Sequence, residues 1–196
     1  DFGMTFTCDD RIYISSVTSQ SLYQLGLDGE ATLIGAEGAL GHNISALAAR
    51  GNPTQLYGLG NGLDGNNAQD SRSLFRIDTQ TGQATLIGEL GADAGPYYQA
   101  GLSFDDGGTL WALTDRGDQP SQVLQVDPGS GAATLISTVT GQGFESLAVA
   151  PPTGCNVVAA DEFDHTAIPT LDRLGQLLTL MVLLGTGLAA LHRRTN

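Results

Sequence analysis

Short runs of alternating apolar and polar residues, set between turns rich in Gly and Asp, cover most of this chain. Alternation with period two puts every second side chain on one face of a strand, which is the pattern of a half-buried sheet. Three stretches repeat one another. Leu22-Tyr23-Gln24-Leu25 leads to Ala31-Thr32-Leu33-Ile34-Gly35, and Leu74-Phe75-Arg76-Ile77-Asp78 leads to Ala84-Thr85-Leu86-Ile87-Gly88. Val123-Leu124-Gln125-Val126-Asp127 leads in the same way to Ala133-Thr134-Leu135-Ile136-Ser137. The Ala-Thr-Leu-Ile units begin at 31, 84 and 133, a period of 53 and then 49 residues. Each pair of runs flanks a short Gly-containing turn, which predicts a β-hairpin.

Two further strands precede each hairpin: Phe2–Phe6 and Ile12–Ile14, Ile44–Ala48 and Leu56–Leu59, Gly101–Phe104 and Leu110–Leu113. Four short strands in about 50 residues are the signature of a β-propeller blade, so the expected fold class is all-β with propeller-type repeats. A fourth repeat opens at Glu145–Ala150 and fades through Pro151-Pro152 towards a last strand candidate at Asn156–Val158. Leu74 to Gly88 resembles the "LYRIDTxTGxATLIG" blades of secreted bacterial propellers, a resemblance that implies a fold and no particular activity. Three blades and a part cannot close a ring, because propellers use about four to eight. The chain also starts at Asp1, directly before a strand and without a basic, apolar leader. The expectation is therefore a longer protein, with a secretion signal and further blades upstream. A three-blade arc that pairs between chains and a twelve-stranded β-sandwich are the alternatives. The repeat domain is expected at 1–158, a linker at 159–167 and a distinct C-terminal segment at 168–196.

That segment alters the reading. From Leu174 to Leu191 run eighteen residues without an ionisable side chain. As a helix they would measure about 27 Å, against ~30 Å for the hydrocarbon core of a bilayer. A helix also satisfies its own backbone polar groups where lipid cannot. Residues 174–191 are thus expected to form one transmembrane helix. A buried core helix is the alternative, but Gln176, Thr179 and Thr186 fall on no single stripe. Arg193 and Arg194 follow the span as a cytoplasmic anchor, since positive charge marks that side of the membrane. The order Ile168-Pro169-Thr170-Leu171, Gly175, apolar span and terminal Arg cluster resembles the IPTL-CTERM protein-sorting signal of Gram-negative bacteria. The resemblance implies that Ile168, Pro169, Thr170, Leu171 and Gly175 are recognised at the inner membrane by an exosortase-type processing enzyme. That enzyme would release the passenger or transfer it to the cell surface. Asp172-Arg173-Leu174 stands where the family has Ser-Glu-Trp, so the family's aromatic is absent here.

Charge agrees with export. The chain carries 21 acidic residues against 8 Arg and no Lys, a net charge of −13. Residues 1–167 hold 20 acids and 5 Arg, net −15, while the C-terminal segment is net +2. A domain this acidic lacks the basic footprint that nucleic-acid binding needs. Cys8 and Cys155 are the two cysteines and permit one disulfide tying the ends of the array; two free thiols are the alternative.

Catalytic motifs are sparse. His42, His165 and His192 stand in no metal-ligand spacing, and no nucleophile elbow or phosphate loop occurs. Asp9-Asp10 and Asp105-Asp106 are paired carboxylates at equivalent turns, which reads as turn chemistry. An insertion between Leu59 and Leu74 offers Asp64, Asn66 and Asp70 as hard oxygen ligands suited to Ca²⁺, with a plain polar loop as the alternative. Arg116-Gly117-Asp118 spells an adhesion tripeptide that is frequent by chance. The function expected from these residues is an exported, membrane-anchored protein with a non-catalytic binding or structural propeller and no cofactor. The alternative is a propeller enzyme, a calcium-assisted hydrolase or lyase, with its active site partly on blades upstream.

Overall fold

The computed structural model describes residues 2–61, 72–140, 143–144 and 146–149. Twelve strands form three antiparallel sheets of four, each sheet taken from consecutive strands. The first blade is β1 (Phe2–Phe6), β2 (Ile12–Ser16), β3 (Ser21–Leu25) and β4 (Ala31–Ile34). The second is β5 (Ile44–Arg50), β6 (Gln55–Gly60), β7 (Ser73–Ile77) and β8 (Ala84–Glu89). The third is β9 (Gln99–Phe104), β10 (Leu110–Arg116), β11 (Gln119–Val126) and β12 (Ala133–Val139). A sandwich would gather these strands into two facing sheets; three four-stranded meanders in chain order are blades of the propeller type.

Register explains the alternation in the sequence. In the first blade Thr5, Tyr13, Gln24 and Thr32 share one face, and Met4, Ile14, Tyr23 and Leu33 share the other. Each blade buries its faces against its neighbours. Tyr13 and Leu22 of the first blade meet Ile44, Leu47, Leu56, Phe75 and Ile77 of the second in one cluster. Ala46, Tyr57, Leu59 and Leu74 on the opposite face of the second blade meet Leu102, Phe104, Leu110, Leu124 and Val126 of the third in another. The first strands of the blades lie side by side, β1 against β5 and β5 against β9.

Close approach of those strands demands small residues. A Cβ on Gly3 would stand 2.8 Å from Ala46 Cα, and one on Gly101 would collide with the backbone of Ser146 and Leu147. The segment after the third blade thus takes the place of a next inner strand beside β9. The expected strand there needs correction, because Ser146–Val149 form no ladder. The sequence supplies a reason: Pro151-Pro152 follows at once, and two residues without N–H donors cannot begin the hairpin that pairs the strand in the other blades.

The chain divides into two units, Asp1–Val157 and Val158–Asn196. The linker, the transmembrane span 174–191, Ile168–Leu171, Gly175, Arg193 and Arg194 all lie outside the described residues. Among the described residues no helix is long and apolar enough to cross a membrane. Cys8, just beyond β1, is disulfide-bonded; Cys155, the other cysteine of the chain, lies outside the described residues.

Enlarging Gly3 should push β1 off β5. Gly3→Val is expected to cost about 2 kcal/mol, read as a lower urea midpoint with an unchanged slope, and Gly3→Ala should cost less.

Candidate functional site

Meander connectivity sorts the loops by end. The turns after the first and third strands of every blade share one end, here called the lower. The turns after the second strands and the links between blades share the other. The lower end is built on aspartates. Asp78 Oδ1 accepts from Gln80 N at 2.7 Å and Thr81 N at 2.9 Å, and Asp127 Oδ1 accepts from Gly129 N at 2.7 Å and Ser130 N at 3.3 Å. Asp105 accepts Thr109 N at 2.8 Å and Trp111 Nε1 at 2.7 Å. Asp9 pairs with Arg11 at 3.2 Å and accepts Thr54 Oγ1 of the second blade at 3.1 Å. The Asp9-Asp10 and Asp105-Asp106 pairs therefore shape turns, and Asp10 itself takes a left-handed φ of 59°.

The upper end is held by bonds to neutral acceptors. Gln20 Nε2 donates to Asn43 Oδ1 at 2.9 Å, the buried Tyr97 hydroxyl donates to Gly60 O at 2.8 Å, and Arg72 Nη1 donates to Ala94 O at 3.0 Å. His42 lies against the Phe75 ring, 4.4 Å between centroids. Arg116 donates to Pro96 O and Gln119 Oε1, so the Arg116-Gly117-Asp118 tripeptide is a braced hairpin turn. This end also carries the β6–β7 connection, residues 61–72, where the other blades have only 17–20 and 117–118. Its anchors are described, Asn61 by a bond to Asn43 O at 2.7 Å and Arg72 as above. Asp64, Asn66 and Asp70 lie outside the described residues, and no three metal-ligating side chains come together among the described ones.

The inner strands enclose a cavity of about 190 Å³ lined by Met4–Phe6, Ala48 and Ala49, Leu102–Phe104 and Leu147–Val149. Thr5 and Ser103 bring hydroxyls to it, and none of its lining residues is ionisable. It can hold an apolar group and offer two hydroxyls; acid–base chemistry would have to come from elsewhere. A larger hollow of about 460 Å³ opens on the outer face of the third blade, lined by Trp111, Leu113, Val123, Val139, Phe144, Leu147 and Val149.

One cluster escaped sequence reasoning. Arg50, Gln55, Tyr57 and Arg76 meet on the face that the second blade turns to the third. Tyr57 and Arg76 are direct cross-strand partners. The signal was available only after strand register was assigned, because these residues are up to 26 positions apart and form no motif.

No family model and no curated protein matches the chain. Among solved structures it is similar to selenomethionine-substituted virginiamycin B lyase from Staphylococcus aureus, with TM-score 0.49 and 16% identity over 76% of this chain and 45% of that one. It is also similar to a luciferin-regenerating enzyme, with TM-score 0.48 and 16% identity over 74% of this chain and 48% of that one. The chain spans less than half the length of either, and at this identity the likeness concerns the fold alone. Both of those proteins are enzymes by name, against the expectation of a non-enzyme read from missing motifs, and that expectation is withdrawn. A propeller can assemble a site from single residues on separate blades, and such a site leaves no contiguous signature.

The turn aspartates carry a pH dependence. Hydrogen bonds lower the carboxyls below their ordinary 3.8: chiefly Thr7 for Asp9, Thr81 N–H for Asp78, the Trp111 indole for Asp105 and Gly129 N–H for Asp127. A carboxyl lowered by folding adds stability that is fully present above its unfolded value and is lost as pH falls through the folded value. The melting temperature should therefore drop below about pH 4, and Asp127→Asn, which keeps an acceptor oxygen without the charge, should shallow that drop in a thermal melt series.

Proposed function

We propose that the chain is the envelope-delivered propeller portion of an enzyme, a calcium-assisted hydrolase or lyase acting at the upper end of the blades. The observation that carries this reading is the disparity in connection length: residues 61–72 join β6 to β7, whereas two or four residues suffice in the sister blades. Extra chain on a rigid scaffold is where catalytic and binding groups concentrate. Asp64, Asn66 and Asp70 supply hard oxygen donors on that connection, the donor type calcium prefers. When bound, calcium would stabilise negative charge on a substrate oxygen. The inner-strand cavity would seat an apolar part of the substrate, and further blades would complete the site.

The acidic character of residues 1–167 and the Leu174–Leu191 span support delivery across the inner membrane, with Ile168–Leu171 and Gly175 read by an exosortase-type enzyme. Arg193 and Arg194 would hold the C-terminus in the cytoplasm.

Two measurements test the reading. Calcium at 100 times its dissociation constant should stabilise the full chain by about 2.7 kcal/mol, seen as a raised melting temperature, and Asp64→Ala with Asp70→Ala should abolish the shift. An unshifted melt at saturating calcium would remove the cation from the proposal. Fractionation should place the full chain in the inner membrane, and removal of residues 168–196 should leave it soluble outside the cytoplasm; a cytosolic full chain contradicts the delivery route.

A further inference from the structure

The seam between the second and third blades holds a charge arrangement that the fold does not require. Arg50 Nη2 donates to the Tyr57 hydroxyl oxygen at 3.0 Å, and Arg76 Nη1 donates to the same oxygen at 2.8 Å. That hydroxyl donates to Gln55 Oε1 at 3.3 Å, which also accepts from Arg50 Nε at 3.1 Å and Arg76 Nη1 at 3.4 Å. Both guanidinium carbons stack on the Tyr57 ring, 5.4 and 4.8 Å from its centroid, and that of Arg50 lies 4.9 Å from the Phe104 centroid. Two cations thus converge on two neutral oxygens. Among the described residues neither has a carboxylate within ion-pair distance, although the chain carries 21 acids. Asp78, two residues beyond Arg76, and Asp105, next to the Phe104 ring on which Arg50 stacks, accept the N–H groups of their own turns.

The sister blades show what the fold alone needs. Register equates Tyr57 with Tyr13 and Trp111, and the residue opposite each is Arg76, Gln24 and Gln125 respectively. Arg50, opposite Gln55, corresponds to Thr7 opposite Arg11 and to Asp105 opposite Thr109. An uncharged amide therefore suffices beside the aromatic in two blades of three. Only the second blade places two full positive charges there, where their mutual repulsion is unfavourable. Stacking on aromatic faces fixes both planar forks in advance. Arg76 keeps Nε and Nη2, and Arg50 keeps Nη1, clear of protein acceptors among the described residues.

We propose that Arg50 and Arg76 form a binding site for an oxyanion, the carboxylate or phosphate of a small ligand, seated across the two guanidinium forks with Tyr57 as their common brace. Fork-to-oxyanion bonds are strong and directional, and the bound charge replaces the repulsion with attraction. Ala48, the cross-strand partner of Tyr57, and Phe104, under Arg50, border the inner-strand cavity as well, so a ligand held here has its uncharged part beside that wall. The site stands apart from the calcium reading, because it involves neither residues 61–72 nor any turnover.

Calorimetric titration of the full chain in nonionic detergent at low salt, with inorganic phosphate and separately with acetate, tests the site. Saturable one-to-one binding of at least one anion is expected; phosphate alone assigns a tetrahedral group, acetate alone a carboxylate. Arg76→Gln installs the residue type of both sister blades and should fold, yet weaken binding by at least about tenfold. Arg50→Thr, matching Thr7, should give the same loss and covers the case in which Arg76→Gln destabilises the seam. Arg76→Lys should recover only part of the affinity, since an ammonium lacks the fork, and Arg116→Gln, at the opposite end of the blades from Arg50 and Arg76, should leave anion binding unchanged. Absence of saturable binding by both anions, or an affinity unaltered in Arg76→Gln and Arg50→Thr, overturns the proposal.

Discussion

Everything in this domain depends on blade packing against blade. A four-stranded sheet with apolar residues on both faces cannot bury them alone, and here each interior cluster is shared between two consecutive repeats. Magnitudes favour this term. Burying a single leucine contributes about 1.5–3 kcal/mol, whereas the one ion pair among the described residues, Asp9 with Arg11, is solvent-exposed and of a type worth about 0–1 kcal/mol. The same requirement places Gly3 and Gly101 where inner backbones nearly touch. It also leaves two unmatched surfaces. Phe2, Met4 and Phe6 of the first blade are 68%, 57% and 52% exposed, and the third blade presents the hollow around Trp111, Leu113 and Val123. Each is the counterpart of a face that is buried elsewhere in the array.

Few of the charges among the described residues are used in pairs. At the lower end Asp78, Asp105 and Asp127 satisfy N–H groups that a tight turn would otherwise leave without acceptors. Four of the five arginines in the described residues bond neutral oxygens instead of carboxylates. The high negative charge thus serves solubility more than cohesion. Against that background a local concentration of positive charge at Arg50 and Arg76 is conspicuous in energetic terms, since it is neither neutralised nor needed to brace the aromatic beside it.

The strands were legible in the sequence because they are short and most end at a turn containing Gly or Asp; apolar patterning and the Ala-Thr-Leu-Ile recurrence identified all twelve. The fourth repeat misled because Ser146–Val149 has strand composition but no partner, and strand formation is decided by pairing as much as by propensity. Function was less legible for a related reason. Contiguous motifs report sites built on one loop or helix, whereas the Arg50–Tyr57–Arg76 cluster exists only once β5, β6 and β7 are aligned. The inference of a non-enzyme rested on motif absence and failed on that point.

Internal repetition offers a control that a single-copy fold lacks. Whatever all three blades share, such as the paired hairpins, the aspartate turns and the aromatic at Tyr13, Tyr57 and Trp111, is what the architecture requires. Whatever one blade holds alone is open to another explanation. Both large departures, the connection at 61–72 and the paired arginines, fall in the second blade. That blade is also the one packed on both faces, by Ile44, Phe75 and Ile77 on one side and Tyr57, Leu59 and Leu74 on the other. A loop extension costs little closure entropy when its ends are already fixed, and like charges can be held close only on strands that cannot yield. The middle blade is therefore the place in this array where stability is sufficient to carry groups that do not contribute to it.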